Sequence, residues 1–329
     1  MIATHTFGKH KKAATFAAKV VLLIAVIVAV VYHIASQGQT YSIFSVLSGS
    51  KELLLLGLAV AGMPVNRFIE AVKWHNLICV HEKISLKSAC YAILSGCSVS
   101  LLLPNRIGES AGRMMYVSAD KRTEAVVTTT AAGFSQLTAT LVFGLIALPF
   151  YLRETQLIPQ NAYIAVLSGC FMITAAGIFL YFNLSKLARL DTHSFFQNKY
   201  LKKASRAFGF LNFKTALNLL FLSLLRYVVF ALQFVAVLYV FVPDIPLHVP
   251  FIAVSVIYLA TTLIPSFTLA ELGIRESASV FLLAPFTAFP AGVAAAAFFL
   301  WILNIAVPAA FGAFLSFADH SQRTAPSCT

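Results

Sequence analysis

Six apolar runs recur along the chain, near 17–36, 53–72, 125–150, 161–183, 215–242 and 291–316, separated by short polar segments. At about 1.5 Å of rise per residue, each is long enough to cross a bilayer as a helix. Two further apolar stretches are interrupted. The first, 88–103, meets Pro104 and a charged segment that ends near Ala119. The second, 250–264, meets Pro265 and the segment SFTLAELGIRESASVFLLA.

Loop charges decide how these pieces are threaded, because Lys and Arg concentrate on the cytoplasmic side of a membrane. Lys9, Lys11, Lys12 and Lys19 put the N-terminus in the cytoplasm. Lys51 alone marks the next loop as external, and Lys73, Lys83 and Lys87 return the chain to the cytoplasm. If 88–103 were a full span, Lys121, Arg122 and the basic loop 184–214 would fall outside. The conflict disappears if 88–119 enters from the cytoplasm, turns near Pro104 and leaves on the same side. By the same reasoning 250–285 dips in from outside, since 243–249 and 286–290 contain no Lys or Arg. The expected fold is an all-α integral membrane protein with six spanning helices and two re-entrant helical hairpins, both termini being cytoplasmic. Eight full transmembrane helices are the alternative.

Composition agrees with a membrane protein. Of 329 residues, 59% are hydrophobic and 11% charged, and the mean hydropathy is +0.84. Soluble domains carry about a quarter charged residues. The net charge of +12 sits in short loops, where it reads as a topology signal rather than a nucleic-acid surface. The five cysteines have no CxxC or Cys/His ligand spacing, so neither a metal site nor a cofactor is expected.

The two interrupted stretches resemble each other. One runs Pro104…Glu109-Ser-Ala-Gly-Arg113 and the other Pro265…Glu271-Leu-Gly-Ile-Arg275. Each breaks at a proline and then places Glu four positions before Arg. The order helix, helix, hairpin, helix is shared in opposite orientation, the pattern of an inverted-topology repeat with halves 1–155 and 156–329.

Charges at bilayer depth are costly, about 2.5–3.5 kcal/mol each on insertion scales. The Glu-xxx-Arg pairs reduce that cost and serve equally well as structural salt bridges. As a functional site, a helix that restarts after Pro104 or Pro265 presents unpaired N–H groups, with Asn105 or Ser266 as a cap. Arg106 at such a start, with Arg113, suits a phosphate. Arg226 lies near mid-span without an acid on its own helix, so Glu109, Glu271 or a bound anion is its expected partner; snorkelling to the cytoplasm is the alternative. Glu271 reads either as a proton-linked carboxylate or as a counter-ion of Arg275. Gln136, Gln233 and Asn304 read as interhelical hydrogen-bond donors and acceptors. Arg67, Glu70, Lys73 and Trp74 read as an interfacial anchor, with Arg67 and Lys73 as alternative contacts to lipid head groups.

LPNRIGESAGR and IPSFTLAELGIRESA resemble the two signature segments of the lysylphosphatidylglycerol synthase transmembrane region, a flippase-like family, and the resemblance covers essentially the whole chain. Carried over by position, the motif residues are Pro104, Arg106, Gly108, Glu109 and Arg113, then Pro265, Glu271, Gly273, Arg275 and Glu276. Ala270-Glu271 departs from the family's Gly-Gly. The resemblance implies a protein of the bacterial cytoplasmic membrane that moves or handles lipids. It carries no expectation of lysyl-lipid synthesis, because the family's soluble aminoacyl-transfer domain is not matched here.

The expected function is a flippase-like transporter of an anionic, aminoacylated or lipid-linked phosphate head group. Arg106, Glu109, Arg113, Arg226, Glu271, Arg275 and Glu276 are the expected substrate contacts, and Pro104, Gly108, Pro265 and Gly273 the hinges. The alternatives are a membrane enzyme, or a partner subunit of a separate synthase, in lipid-linked glycan or phospholipid modification.

Overall fold

The computed structural model describes residues 49–101, 107–190, 211–264 and 268–323. The expected first span at 17–36, the tip residues Pro104, Asn105, Arg106, Pro265 and Ser266, and most of the basic loop lie outside them. Among the described residues every regular element is helical. The helices are α1 (Ser50–Ile78), α2 (Leu86–Ser100), α3 (Ile107–Arg113), α4 (Arg122–Glu154), α5 (Gln160–Leu190), α6 (Phe213–Phe241), α7 (Val249–Leu263), α8 (Thr268–Leu283), α9 (Pro290–Trp301) and α10 (Val307–Arg323). A π turn at Ile302–Ala306 joins the last two without a break. Five helical segments are long and apolar enough to cross a membrane: Ser50–Ile78, Ala119–Glu154, Gln160–Asn183, Phe213–Phe241 and Pro290–Leu315. The protein is an all-α membrane protein, and these five segments coincide, to within a few residues at their ends, with five of the six expected spans.

The remaining helices are short. At about 1.5 Å per residue, α2 and α7 reach about 22 Å, less than the roughly 30 Å hydrocarbon thickness. Local chemistry starts several elements: the Ser85 hydroxyl caps α2 by accepting from the Ser88 N–H at 3.1 Å, and Asn212 caps α6 by accepting from the Thr215 N–H at 2.8 Å. Pro290 sits in the first turn of α9, where a missing N–H costs nothing.

α2 and α3 fold back on each other through glycine. A Cβ on Gly108 would lie 2.3 Å from the Ser100 Cα, and one on Gly112 would lie 2.4 Å from the Gly96 N. Backbone therefore meets backbone along an antiparallel pair. The base of this pair is tied by Glu82, whose carboxylate accepts from the Ser118 N–H at 3.0 Å and from its hydroxyl at 2.9 Å. Ser118 immediately precedes the turn that leads into α4. α7 and α8 form the second packed pair. Its base lies at the other end of α4, where the Tyr151 hydroxyl donates to the Leu282 carbonyl at 2.8 Å and Glu154 faces His248 at 3.6 Å.

The main core lies between α4, α6, α7 and α9, with Phe234, Leu238, Ile257, Val293 and Leu300 fully buried. A second cluster, including Trp74, Ile78, Ile93, Val117 and Ala125, packs α2 and the segment after α3 against α1 and α4. Leu101, just after α2, packs with Leu272 of α8 and Trp301 of α9. The far ends of the two pairs thus meet inside the bundle. α5 buries Cys170 and Tyr181 but presents Ile164, Phe171, Met172 and Phe179 outward, as a largely lipid-facing helix should.

Candidate functional site

Where the pairs meet, a cavity of about 560 Å³ opens among α1, α2, α3, α4, α6, α7, α8 and the π turn. Its wall is divided. Ile93, Phe134, Leu137, Phe230 and Ile305 form apolar surface, while Arg67, Lys73, Arg113, Arg226 and Arg275 face three carboxylates, Glu70, Glu109 and Glu271. Five cations against three carboxylates leave a formal excess of two positive charges.

Glu70 is the centre of this network. Its side chain is 7% exposed and lies 2.9 Å from Lys73, 2.9 Å from Arg113 and 3.4 Å from Arg226. The cations come from three elements. Lys73 is one turn further along α1, Arg113 ends α3, and Arg226 is the fourteenth of the 29 residues of α6. Amides complete the network. Arg226 donates from Nε to the Asn66 Oδ1 at 3.0 Å and from Nη1 to the Gln136 Oε1 at 3.1 Å. Lys73 Nζ reaches the Gln136 Oε1 and the Ser223 hydroxyl, each at 3.4 Å. Three guanidinium groups also lie against aromatic faces: Arg113 on Trp74, Arg226 on Phe230 and Arg275 on Tyr258, at 6.0, 5.0 and 5.8 Å from the ring centroids.

Arg113 is under-satisfied. Its Nη2 is shared between Glu70 and Glu109, at 2.9 and 3.4 Å, while Nε and Nη1 are buried without a hydrogen-bond partner among the described residues. The side chain is 3% exposed. Buried donors left open are rare, because each forfeits about 1–3 kcal/mol. Arg67 donates from Nη2 to the Asn304 carbonyl in the π turn, a widened turn of the kind often found at functional sites. Its Nε is likewise buried and open.

The expected site residues separate into three groups. Glu109, Arg113, Arg226, Glu271 and Arg275 all line the cavity. Glu276 is outside its lining, and Arg106 is outside the described residues. Both helix-borne pairs form, Glu109 with Arg113 at 3.4 Å and Glu271 with Arg275 at 2.5 Å. Arg226 does not snorkel. Its acidic partner is Glu70, rather than Glu109 or Glu271.

The anchor reading of 66–74 gives way to a place in the site. Trp74 has 0% exposure and packs inside the bundle, and Arg67, Glu70 and Lys73 face the cavity. The signal lies in the sequence: Asn66, Glu70 and Lys73 are spaced four and three apart, one face of a helix. Gln233 does serve as interhelical glue, donating to the Ala59 carbonyl at 2.7 Å, whereas Gln136 joins the charged network. Gly108 and Gly273, expected as hinges, have opposite surroundings. Gly108 is pressed against the α2 backbone, and a Cβ on Gly273 would meet nothing within 4 Å.

A helical membrane bundle with a half-apolar, half-cationic cavity suits an amphiphile whose polar end is negatively charged. The apolar helices define a multi-pass membrane protein. The profile of the family described as the lysylphosphatidylglycerol synthase TM region matches residues 16–312, and the chain belongs to that family. Comparison with curated proteins and with solved structures gave no match. Membership relates the protein to lipid modification or transport.

Proposed function

We propose that the protein is a flippase-like transporter that carries a phosphate-bearing lipid head group, anionic or aminoacylated, across the bacterial cytoplasmic membrane. The observation that carries this reading is the cation excess around the cavity, with the open Arg113 donors beside an apolar wall. A guanidinium fork binds phosphate oxygens in pairs, and the apolar wall accommodates the adjoining lipid. In this reading 88–119 and 250–285 are re-entrant hairpins of two inverted repeats, 1–155 and 156–329. Their bases, tied at opposite ends of α4, support that arrangement. Rocking of one repeat against the other would expose the cavity to each side in turn.

The test is leaflet exchange in liposomes containing the purified protein and labelled phosphatidylglycerol, aminoacyl-phosphatidylglycerol or a lipid-linked sugar phosphate. Exchange faster than in protein-free vesicles for at least one of these is expected, with loss on Arg113→Leu. Exchange no faster than the protein-free rate across the whole panel overturns the reading.

A further inference from the structure

The carboxylate of Glu70 occupies the place a bound phosphate would want. Two oxygens bearing one negative charge are held by cations from α1, α3 and α6, at 2.9, 2.9 and 3.4 Å. A phosphodiester likewise carries one negative charge on two unesterified oxygens. Exchanging one for the other at Arg113 and Arg226 leaves the local charge unchanged. We infer that Glu70 is the internal competitor of the substrate phosphate: it holds Arg113 and Arg226 while the cavity is empty and releases them to the incoming head group. This rests on the phosphate-carrier reading and makes Glu70 a residue that sets affinity and release.

Three observations favour Glu70 over the other two carboxylates. It is the most buried, with 7% of its side chain exposed against 32% for Glu109 and 29% for Glu271. It belongs to a long spanning helix, whereas Glu109 and Glu271 each lie one turn before the arginine they pair with, on the same short helix. It also has its own cation, since Lys73 is three residues away on α1 and moves with it. When Arg113 and Arg226 turn to the substrate, Glu70 therefore keeps one partner and is not left as a bare buried charge, which would cost several kcal/mol. Gln136 accepts from both Lys73 and Arg226, so it joins the group that stays to the group that is handed over.

An internal competitor weakens binding in exchange for faster release. Removing it should tighten binding while slowing transport, and damage to a merely structural bridge would not tighten binding. The experiment measures binding of dioleoyl-phosphatidylglycerol to the full-length protein in neutral nanodiscs, with leaflet exchange in parallel. Glu70→Gln is expected to bind about tenfold tighter and to exchange more slowly, the scale of losing one close charge competitor. Glu70→Asp should restore wild-type behaviour. Lys73→Met, which commits Glu70 to the arginines, should bind more weakly.

Because Glu70→Gln takes an acidic partner from three cations at once, the double variant Glu70→Gln/Lys73→Met is compared with Lys73→Met alone, and tighter binding by the double variant is again expected. If wild type binds the lipid, Arg113→Leu abolishes binding, and neither glutamine variant binds more tightly than its parent, the competitor role is overturned while the phosphate site stands. If wild type binds none of dioleoyl-phosphatidylglycerol, its aminoacylated form and a lipid-linked sugar phosphate, the carrier reading and this inference fail together.

Discussion

Replacing Gly108 with alanine is the sharpest test of how the first helical pair is built. The added Cβ would sit 2.3 Å from the Ser100 Cα, 2.4 Å from its N and 2.6 Å from the Val99 carbonyl carbon. All three are backbone atoms, so no rotamer change relieves the clash. Ordinary contact begins near 3.4 Å, so α3 must retreat from α2 by about 1 Å. Overpacking of this kind costs about 1–3 kcal/mol. Gly273→Ala is the matched control, because its Cβ meets nothing within 4 Å and alanine favours the helix by up to about 1 kcal/mol. Thermal unfolding of both variants in detergent, followed by labelling of buried Cys97 with a thiol-reactive dye, reads the difference. Gly108→Ala should expose Cys97 at a temperature several degrees lower than wild type. Gly273→Ala should match wild type or exceed it. A Gly108→Ala protein as stable as wild type, or a Gly273→Ala protein destabilised equally, would refute the close backbone approach.

Three further outcomes follow from the same geometry. Arg226→Leu strips Glu70 of one cation, leaves the Asn66 oxygen without this donor and leaves the Gln136 oxygen to Lys73. It should destabilise the fold by about 3–5 kcal/mol, checked by the same unfolding assay, whereas Arg226→Lys should retain most stability but lose the fork. Glu271→Gln removes the 2.5 Å partner of Arg275 and should slow leaflet exchange in the same liposomes; exchange at the wild-type rate would exclude a role for this pair in transport. In a cysteine-free background, Ser118→Cys and Thr287→Cys should react with an impermeant thiol reagent from opposite sides of oriented vesicles. Labelling from the same side would sink the inverted arrangement of the two pairs.

The spans were legible because the bilayer imposes a length and composition that a sequence displays directly. The two interrupted stretches were legible because a proline follows each apolar run, and α2 and α7 end shortly before it. The α1 half of the charged network was not. The apolar run of 53–72 ends where polar residues begin, and a polar residue at the end of such a run reads as an interfacial anchor. The helix continues to Ile78, so Glu70 and Lys73 remain inside the bundle. Their role depends on Arg113 and Arg226, 43 and 156 positions away from Glu70, and no local pattern encodes that convergence. The face formed by Asn66, Glu70 and Lys73 was the available hint. Arg226 lacked an acid on its own helix for the complementary reason: Glu70 reaches it across the α1–α6 contact.

The π turn at Ile302–Ala306 makes two half-helices with different duties out of one rod. An extra residue in a helical turn advances the phase of everything after it by about 100°. Before the turn, α9 packs on α6 and α8; after it, α10 lays Gly312 against the α2 backbone, where a Cβ would come within 1.9 Å of the Leu94 oxygen. The same helix therefore grips both helical pairs, one on each side of its phase change. Deleting a single residue from 302–306 would rotate Gly312 away from α2 and bring a bulkier neighbour into its place, uncoupling the two halves of the bundle while leaving every charged side chain intact.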